Sequence, residues 1–268
     1  MTRITLFGGH GFIGAALKAE LVLRGRDVIC QARDSILPPE GGFGTLVWCI
    51  GLTADFRTRP YDTATAHVGL LTQVLAQRAH DRVVFLSSTR VYSGATSTAE
   101  SAALTLRPAD PTDLYNATKL AGEALVLTAE GASGVVVRLS NIVGPAEAAR
   151  ATFLGAITRQ SAQGRVTLES ALTTAKDYLW IADAARGLAD IATLGHARIY
   201  NLARGVQITH RDWTDALARA TGCVTSVQPH APDMGFAAID TALIQAEFGF
   251  EPGNPLDHIA EIATKGLV

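Results

Sequence analysis

Short apolar runs alternate with segments of helical period through the first half of the chain. Ile4 to Phe7 is a strand-length apolar run that stops at a glycine cluster. A helical segment from about Gly14 to Arg24 follows, Gly25 ends it, and Val28-Ile29-Cys30 is the next apolar run. Two short strands joined through a helix predict a parallel crossover, because an antiparallel pair needs only a hairpin. The alternation continues with a strand at Thr45 to Ile50, a helix at about Thr63 to Gln77, and a strand at Val83 to Leu86 that ends in Ser87-Ser88-Thr89. Pro111-Thr112-Asp113 then opens a helix reaching about Glu130, with Thr112 as expected N-cap and Gly131 as terminator, and Val135 to Val137 follows as a strand. The pattern predicts an α/β fold, a Rossmann-like doubly wound parallel sheet with active residues at the carboxyl ends of its strands.

Beyond Gly144-Pro145 the alternation loosens. Helices are expected at about Phe153 to Gln160, Ile181 to Thr193 and Arg211 to Ala220, with short strands near Val166 and at Arg198 to Asn201. The expected organisation is therefore a dinucleotide-binding core with the catalytic residues over 1–145, and a small C-terminal substrate-binding part over 146–268. Between Arg33 and Thr45 the chain is short and rich in Pro and Gly. Pro38 and Pro39 would interrupt a strand ladder, so no regular strand is expected there.

Composition narrows the partners. The 268 residues are 48% apolar with a formal net charge of −2, which gives no reason to expect nucleic acid. No run of about 18 apolar residues predicts a membrane span, and the first residues carry no secretory pattern, so a cytoplasmic location is expected. Cys30, Cys49 and Cys223 lack disulfide or metal-ligand spacing and are expected as small buried hydrophobes, and no metal site is expected.

The candidate cofactor site is Gly8-x-x-Gly11-x-x-Gly14 between the first strand and helix. Gly8 allows the tight turn, Gly11 the approach of a pyrophosphate, and Gly14 close helix packing. The helix opening at Phe12 and Ile13 offers N–H groups and a positive dipole end to phosphates. Cys49, Ile50 and Gly51, at the end of the third strand, are expected to pass close under the same cofactor. NAD or NADP is expected, with a weak lean to NADP: Arg33 follows the second strand where a carboxylate would choose NAD, and an arginine there can pair with a 2′-phosphate, the alternatives being a solvated Arg33 and an Asp34 that turns inward.

Tyr115 and Lys119 lie four residues apart on one helix face. A nearby ammonium favours the phenolate and is expected to bring Tyr115 toward neutral pH as a base, with Ser88 bonding the same substrate oxygen. These three form a candidate proton relay for hydride exchange with a nicotinamide.

With these motifs in place, the chain resembles the extended short-chain dehydrogenase/reductases, the NAD(P)-dependent nucleotide-sugar epimerase/dehydratase family. The resemblance rests on Gly8 to Gly14, Phe85 to Tyr92, Tyr115 to Glu123, Arg138 to Pro145 and Lys176 to Asp183. It implies that Ser88, Tyr115 and Lys119 are catalytic, that Tyr115 and Lys119 also touch the cofactor, and that Thr89, Arg90, Asn141 and Lys176 face the substrate, a nucleotide-sugar. It also implies a homodimer in which the helix from about Thr63 to Gln77 and the Tyr115 helix pack on their symmetry mates. Leu70, Leu71, Val74 and Leu75 and the Ala117, Ala121, Ala124, Leu125 and Ala129 face would supply the contacts. Three departures matter. Lys176 replaces an arginine of the family, so a diphosphate contact is lost or passes to Arg150, Arg159 or Arg165. His67 replaces an asparagine and, as a core histidine, is assigned no catalytic role. Thr89-Arg90 replaces the Asp-Glu pair of the 4,6-dehydratases, which argues against dehydration. The expected function is an epimerase or oxidoreductase acting on a hydroxyl or keto group. The alternatives are a keto-sugar or other ketone reductase, or a dinucleotide-binding module without turnover.

Overall fold

In a computed structural model the described residues are 3–32, 35–52, 56–145 and 147–264. They fall into two compact units. The first holds Met1–Leu139, Ala184–Leu202 and Ala242–Phe250; the second holds Ser140–Asp183, Ala203–Thr241 and Glu251–Val268. The chain thus passes between units repeatedly, where one boundary near residue 145 was expected.

The first unit begins as the apolar pattern dictates: β1 (Ile4–Phe7), α1 (Phe12–Leu23), β2 (Val28–Cys30) and β3 (Gly44–Trp48). Next come α2 (Pro60–Ala64), a wider π-helical turn (Thr65–Gly69), α3 (Leu70–Leu75), β4 (His80–Ser88), α4 (Asp113–Ala129) and β5 (Gly134–Leu139). The sheet order is β2-β1-β3-β4-β5, followed by the strand Ile199–Leu202, and every pairing is parallel. Strand order reverses between β1 and β3, which in a doubly wound sheet opens the ligand crevice at their carboxyl ends. Leu6, Val47, Val84 and Val136 fill the sheet's centre without exposure, and Phe7 stacks on Trp48 at 5.0 Å.

Among the described residues no strand lies between Cys30 and Gly44. The Gln31 side-chain amide instead donates to the carbonyls of Ser35 (3.1 Å) and Leu37 (2.9 Å), folding the link on itself.

Two local expectations are corrected. The helix expected from Thr63 to Gln77 is interrupted by the π turn. The indole of Trp48 donates to the Ala66 carbonyl (3.1 Å), using a backbone acceptor within it. One residue of slack hardly disturbs an apolar stripe, so periodicity does not reveal it. Thr112 does not cap α4: its backbone is already helical, and its N–H and hydroxyl both donate to the Asp110 carboxylate (2.9 and 2.7 Å). Of the apolar residues expected at a dimer face, Leu71, Val74 and Leu75 are buried in the unit's own core, whereas Ala121, Ala124 and Ala129 are exposed.

The second unit has a three-stranded sheet in which Ala175–Trp180 pairs antiparallel with Gln207–Thr209 and parallel with Asn141–Val143. A parallel pair, Arg165–Leu168 with Val224–Val227, lies beside helices Phe153–Ala162 and His210–Thr221. Its core gathers Leu154, Tyr178, Trp180, Trp213 and Leu217. No described helix is long and apolar enough to cross a membrane.

Candidate active site

The turn after β1 is shaped by missing side chains. Gly8 has φ +81°, and a Cβ there would sit 3.0 Å from the Cys49 carbonyl carbon. A Cβ on Gly14 would lie 2.3 Å from the Gly8 oxygen, and one on Gly9 2.5 Å from Cys30 Sγ. Gly11 donates to the Gly8 carbonyl (3.0 Å), closing the turn. The N-terminus of α1 that follows has no side-chain cap and no acidic residue in its first turn. Close backbone approach, an uncapped helix start and a positive dipole end together fit a dinucleotide pyrophosphate. Cys49 ties to β1 through its N–H to the Phe7 carbonyl (2.8 Å), and burial pushes its thiol up to about 12, so it stays neutral. Arg33 lies outside the described residues.

Ser88 closes β4, and α4 presents Tyr115, Lys119 and Glu123 at successive four-residue steps. Ser88 lies close enough to the Tyr115 hydroxyl to draw its ionisation down. Lys119 donates from Nζ to the Leu86 carbonyl (2.7 Å) and sits 5.9 Å from the Tyr115 ring centre. Tyr115 and Lys119 are only 5% and 4% exposed. Burial decides their ionisation: it raises Tyr115 above the usual phenol value against the opposing pull of Ser88 and Arg90, and lowers Lys119 to about 7 against Glu123 and Cys49. The expectation that Lys119 brings Tyr115 down is therefore corrected. Water is withheld from both charged forms, so the pair rests near neutrality.

His67, in the π turn, belongs to the same group. The Thr118 hydroxyl oxygen lies 2.8 Å from His67 Nδ1 and 3.0 Å from each of the Leu114 and Tyr115 carbonyls. Among the described residues His67 Nε2 is buried without a partner, in a residue with no exposure. A Cβ on Gly51 would stand 3.3 Å from it and 3.4 Å from Lys119 Nζ, so the glycine leaves both nitrogens facing one space. Burial, then Lys119, lowers His67 to about 3, keeping it neutral. Its ring meets Tyr115 edge-on at 5.3 Å. Sequence reasoning gave this residue no role; the only hint was its place where the family carries asparagine.

Beneath the site a buried network fixes β4, β5 and α4. Arg138 pairs with Glu123 (2.7 Å), Ser87 donates to Glu123, and Arg138 donates to the Tyr92 hydroxyl (2.8 Å), which donates to Asn201 (2.8 Å). A buried pair of this kind adds little net stability, but losing one partner would strand a charge.

The expected substrate-side residues divide between the units. Thr89 and Arg90 follow Ser88 in the first. Asn141 and Lys176 belong to the second: the Asn141 amide donates to the Asp177 carbonyl (2.7 Å), and Lys176 lies over Phe236 at 4.8 Å. Asp177 lies within a strand and accepts from the N–H groups of Arg204 (3.0 Å) and Gly205 (2.7 Å). Arg150 donates to the Ile142 carbonyl (2.9 Å) and Arg159 to the Arg150 carbonyl (2.9 Å), so both arginines have backbone partners within the unit. Among the described residues no group of three or more His, Cys, Asp or Glu could hold a metal.

Comparison with known proteins places this geometry. Residues 4–203 match the pattern of the NAD dependent epimerase/dehydratase family. A dTDP-6-deoxy-L-talose 4-dehydrogenase (NAD(P)(+)) of Kitasatospora kifunensis is 26% identical across 95% of this chain and 92% of its own length. A dTDP-glucose 4,6-dehydratase of Streptomyces griseus is 30% identical over 55% of this chain and 46% of its own. The UDP-glucose 4-epimerase of Thermus thermophilus, solved with NAD, superposes with a TM-score of 0.77 at 21% identity, covering 97% of both chains.

Proposed function

The chain belongs to the NAD dependent epimerase/dehydratase family and is an enzyme of the extended short-chain dehydrogenase/reductase type, and from that premise we propose that it exchanges hydride at a hydroxyl or keto carbon of a nucleotide-sugar. The observation that carries this reading is the buried Tyr115 with Lys119 Nζ 5.9 Å from its ring centre and Ser88 close enough to draw the phenol's ionisation down. Ser88 and Tyr115 bind the reacting oxygen, and Tyr115 gives or takes its proton. A neutral phenol suits the direction in which a ketone is reduced. Oxidation needs the phenolate, which Ser88 and Arg90 favour against burial. Gly8, Gly11 and Gly14, with the start of α1 at Phe12 and Ile13, would hold the dinucleotide pyrophosphate, and Cys49, Ile50 and Gly51 line its path. When bound, the nicotinamide accepts or returns the hydride. Arg33 supports NADP over NAD. Thr89-Arg90 supplies no acid and base for eliminating water, so dehydration is not part of the proposal.

Two outcomes of that hydride exchange remain, epimerisation and net reduction, and the full-length similarity to a 4-dehydrogenase supports the second. Tyr115→Phe should lower kcat about 10²–10⁴-fold on any nucleotide-sugar the protein turns over; turnover that survives would overturn the assignment. Run with NADH and NADPH in parallel, the assay also reads preference: equal affinities would remove the role from Arg33. Cofactor retained through gel filtration marks an epimerase, stoichiometric consumption a reductase. The assembly proposed is a homodimer through the exposed alanines of α4, which let a partner helix approach closely. Light scattering should give twice the chain mass, and a monomer mass would reject it.

A further inference from the structure

The imidazole of His67 ends in a nitrogen that nothing in the described chain answers. The residue has no exposure, and among the described residues its Nε2 is buried without a hydrogen-bond partner. A buried ring nitrogen left alone is costly, so such an atom points to a partner that comes from outside the chain. The π turn that carries it is held from two sides. The Trp48 indole of β3 donates to the Ala66 carbonyl (3.1 Å), and α4 comes so close at Gly122 that a Cβ there would stand 3.0 Å from the His67 carbonyl oxygen. At the other side of the ring Nδ1 meets the Thr118 hydroxyl (2.8 Å), and the ring stands edge-on to Tyr115 at 5.3 Å. A Cβ on Gly51 would lie 3.3 Å from Nε2 and 3.4 Å from Lys119 Nζ, so both nitrogens border one spot that the glycine leaves open. Lys119 gives one N–H to the Leu86 carbonyl (2.7 Å) and keeps at least one more.

We propose that His67 Nε2 is a ligand of the dinucleotide's nicotinamide-side ribose, meeting one hydroxyl of its vicinal diol while Lys119 reaches the diol from the other side. The proposal rests on the reading of the glycine turn as the dinucleotide site and of Ser88, Tyr115 and Lys119 as the reaction centre. The chemistry of the spot selects a hydroxyl. Its occupant takes an N–H from Lys119 and serves Nε2 in either tautomer, which a hydroxyl does because it both donates and accepts, whereas a carboxylate or phosphate only accepts. Burial keeps the imidazole neutral, so it offers no second cation to an anion. The place selects the ribose. Gly51 follows the end of β3, along the path given above to the cofactor, and the nicotinamide has to stand against the carbon whose oxygen meets Tyr115. The ribose beside that ring is one bond away from it, and the adenine-side ribose is separated from it by the whole pyrophosphate.

The test uses the full chain, freed of any copurifying dinucleotide, with ADP and ADP-ribose as probes and binding read by calorimetry. ADP ends at the diphosphate, and ADP-ribose adds the ribose in question without the nicotinamide. The parent should prefer ADP-ribose. His67→Phe, which keeps a ring and loses both nitrogens, should cut that preference about tenfold and leave ADP affinity unchanged. His67→Gln, whose amide brings a polar atom back, should restore part of it. Gly51→Ala works from the opposite wall, setting a methyl group where the hydroxyl would stand, and should cut the preference as well. It replaces no buried ring, so it carries the test if the melting temperature of His67→Phe shows that variant to be unfolded. A preference that survives either folded variant assigns Nε2 to water and overturns the proposal. Equal loss of ADP and ADP-ribose marks a structural role and overturns it too, as does a parent that binds both probes alike. If the parent binds neither probe, the dinucleotide reading falls and the ribose contact with it.

Discussion

At the turn after β1 the chemistry depends on side chains that are missing, whereas at the end of β4 it depends on side chains stripped of water. The turn offers backbone N–H groups and a helix dipole, which no burial can neutralise and no pH change can switch. The proposed reaction centre offers Tyr115, Lys119 and, beside them, His67, whose ionisation all shifts toward the neutral form on burial. Backbone donors suit a group that must be held through many cycles. Desolvated side chains suit a proton that must move, because their charge is easily tipped by what enters beside them.

The largest effect expected from this contrast lies at Gly14, where even one methyl group would stand 2.3 Å from the Gly8 oxygen. Gly14→Ala must open the turn or shift α1, so dinucleotide affinity should fall about 100-fold or more, read by fluorescence titration, with a stability cost of about 1–3 kcal/mol. Affinity within a few fold of the parent would mean that the turn is plastic and would break the contrast. A smaller effect sharpens the other side. His67 is held neutral with its ionisation lowered to about 3 from an ordinary 6.5. The unfolded chain therefore binds the extra proton first as pH falls below 6.5, and folding stability drops from there toward pH 3, by up to about 1.4 kcal/mol per pH unit for one such histidine. His210, lowered to about 4 by burial first, adds the same trend in the second unit down to its own value. His67→Asn should flatten part of the slope, measured by urea unfolding at pH 6.5, 5.5 and 4.5. An unchanged slope would remove His67 from the desolvated group.

The same division explains what was legible in the sequence. Glycine spacing, strand-length apolar runs and the Tyr115/Lys119 step are local, so β1, α1, β2 and α4 stand within a few residues of expectation. That no strand stands between Cys30 and Gly44 among the described residues was legible too, because Pro38 and Pro39 interrupt a ladder by covalent geometry alone. The π turn was not, since an added residue barely alters periodicity. Thr112 failed as a cap because Asp110, two residues earlier, competes for its hydroxyl and N–H. His67 and the direction of the Tyr115 shift were hidden for a common reason: both depend on which groups lose water together when Gly51, Thr118 and Lys119 converge, and spacing along the chain carries no record of that. Asn141 was legible as a motif residue but not as a donor to Asp177, a bond made only when two strands meet.

The short link between Cys30 and Gly44 has a further consequence, for the tempo of folding. β1 must find β3 across the chain, and their register pairs Ile4 with Thr45, a separation of 45 − 4 = 41 residues. A strand and helix inserted in that link would lengthen the search, yet doubling the closed loop costs only about 0.6 kcal/mol. Equilibrium stability hardly registers such a change. Folding speed depends more strongly on how far apart in sequence the paired segments lie, and parallel strands are slow because their contacts are never local. The shortened link brings the central strands of the sheet together sooner, so the part of the chain that forms the glycine turn spends less time with its β1 edge unpaired.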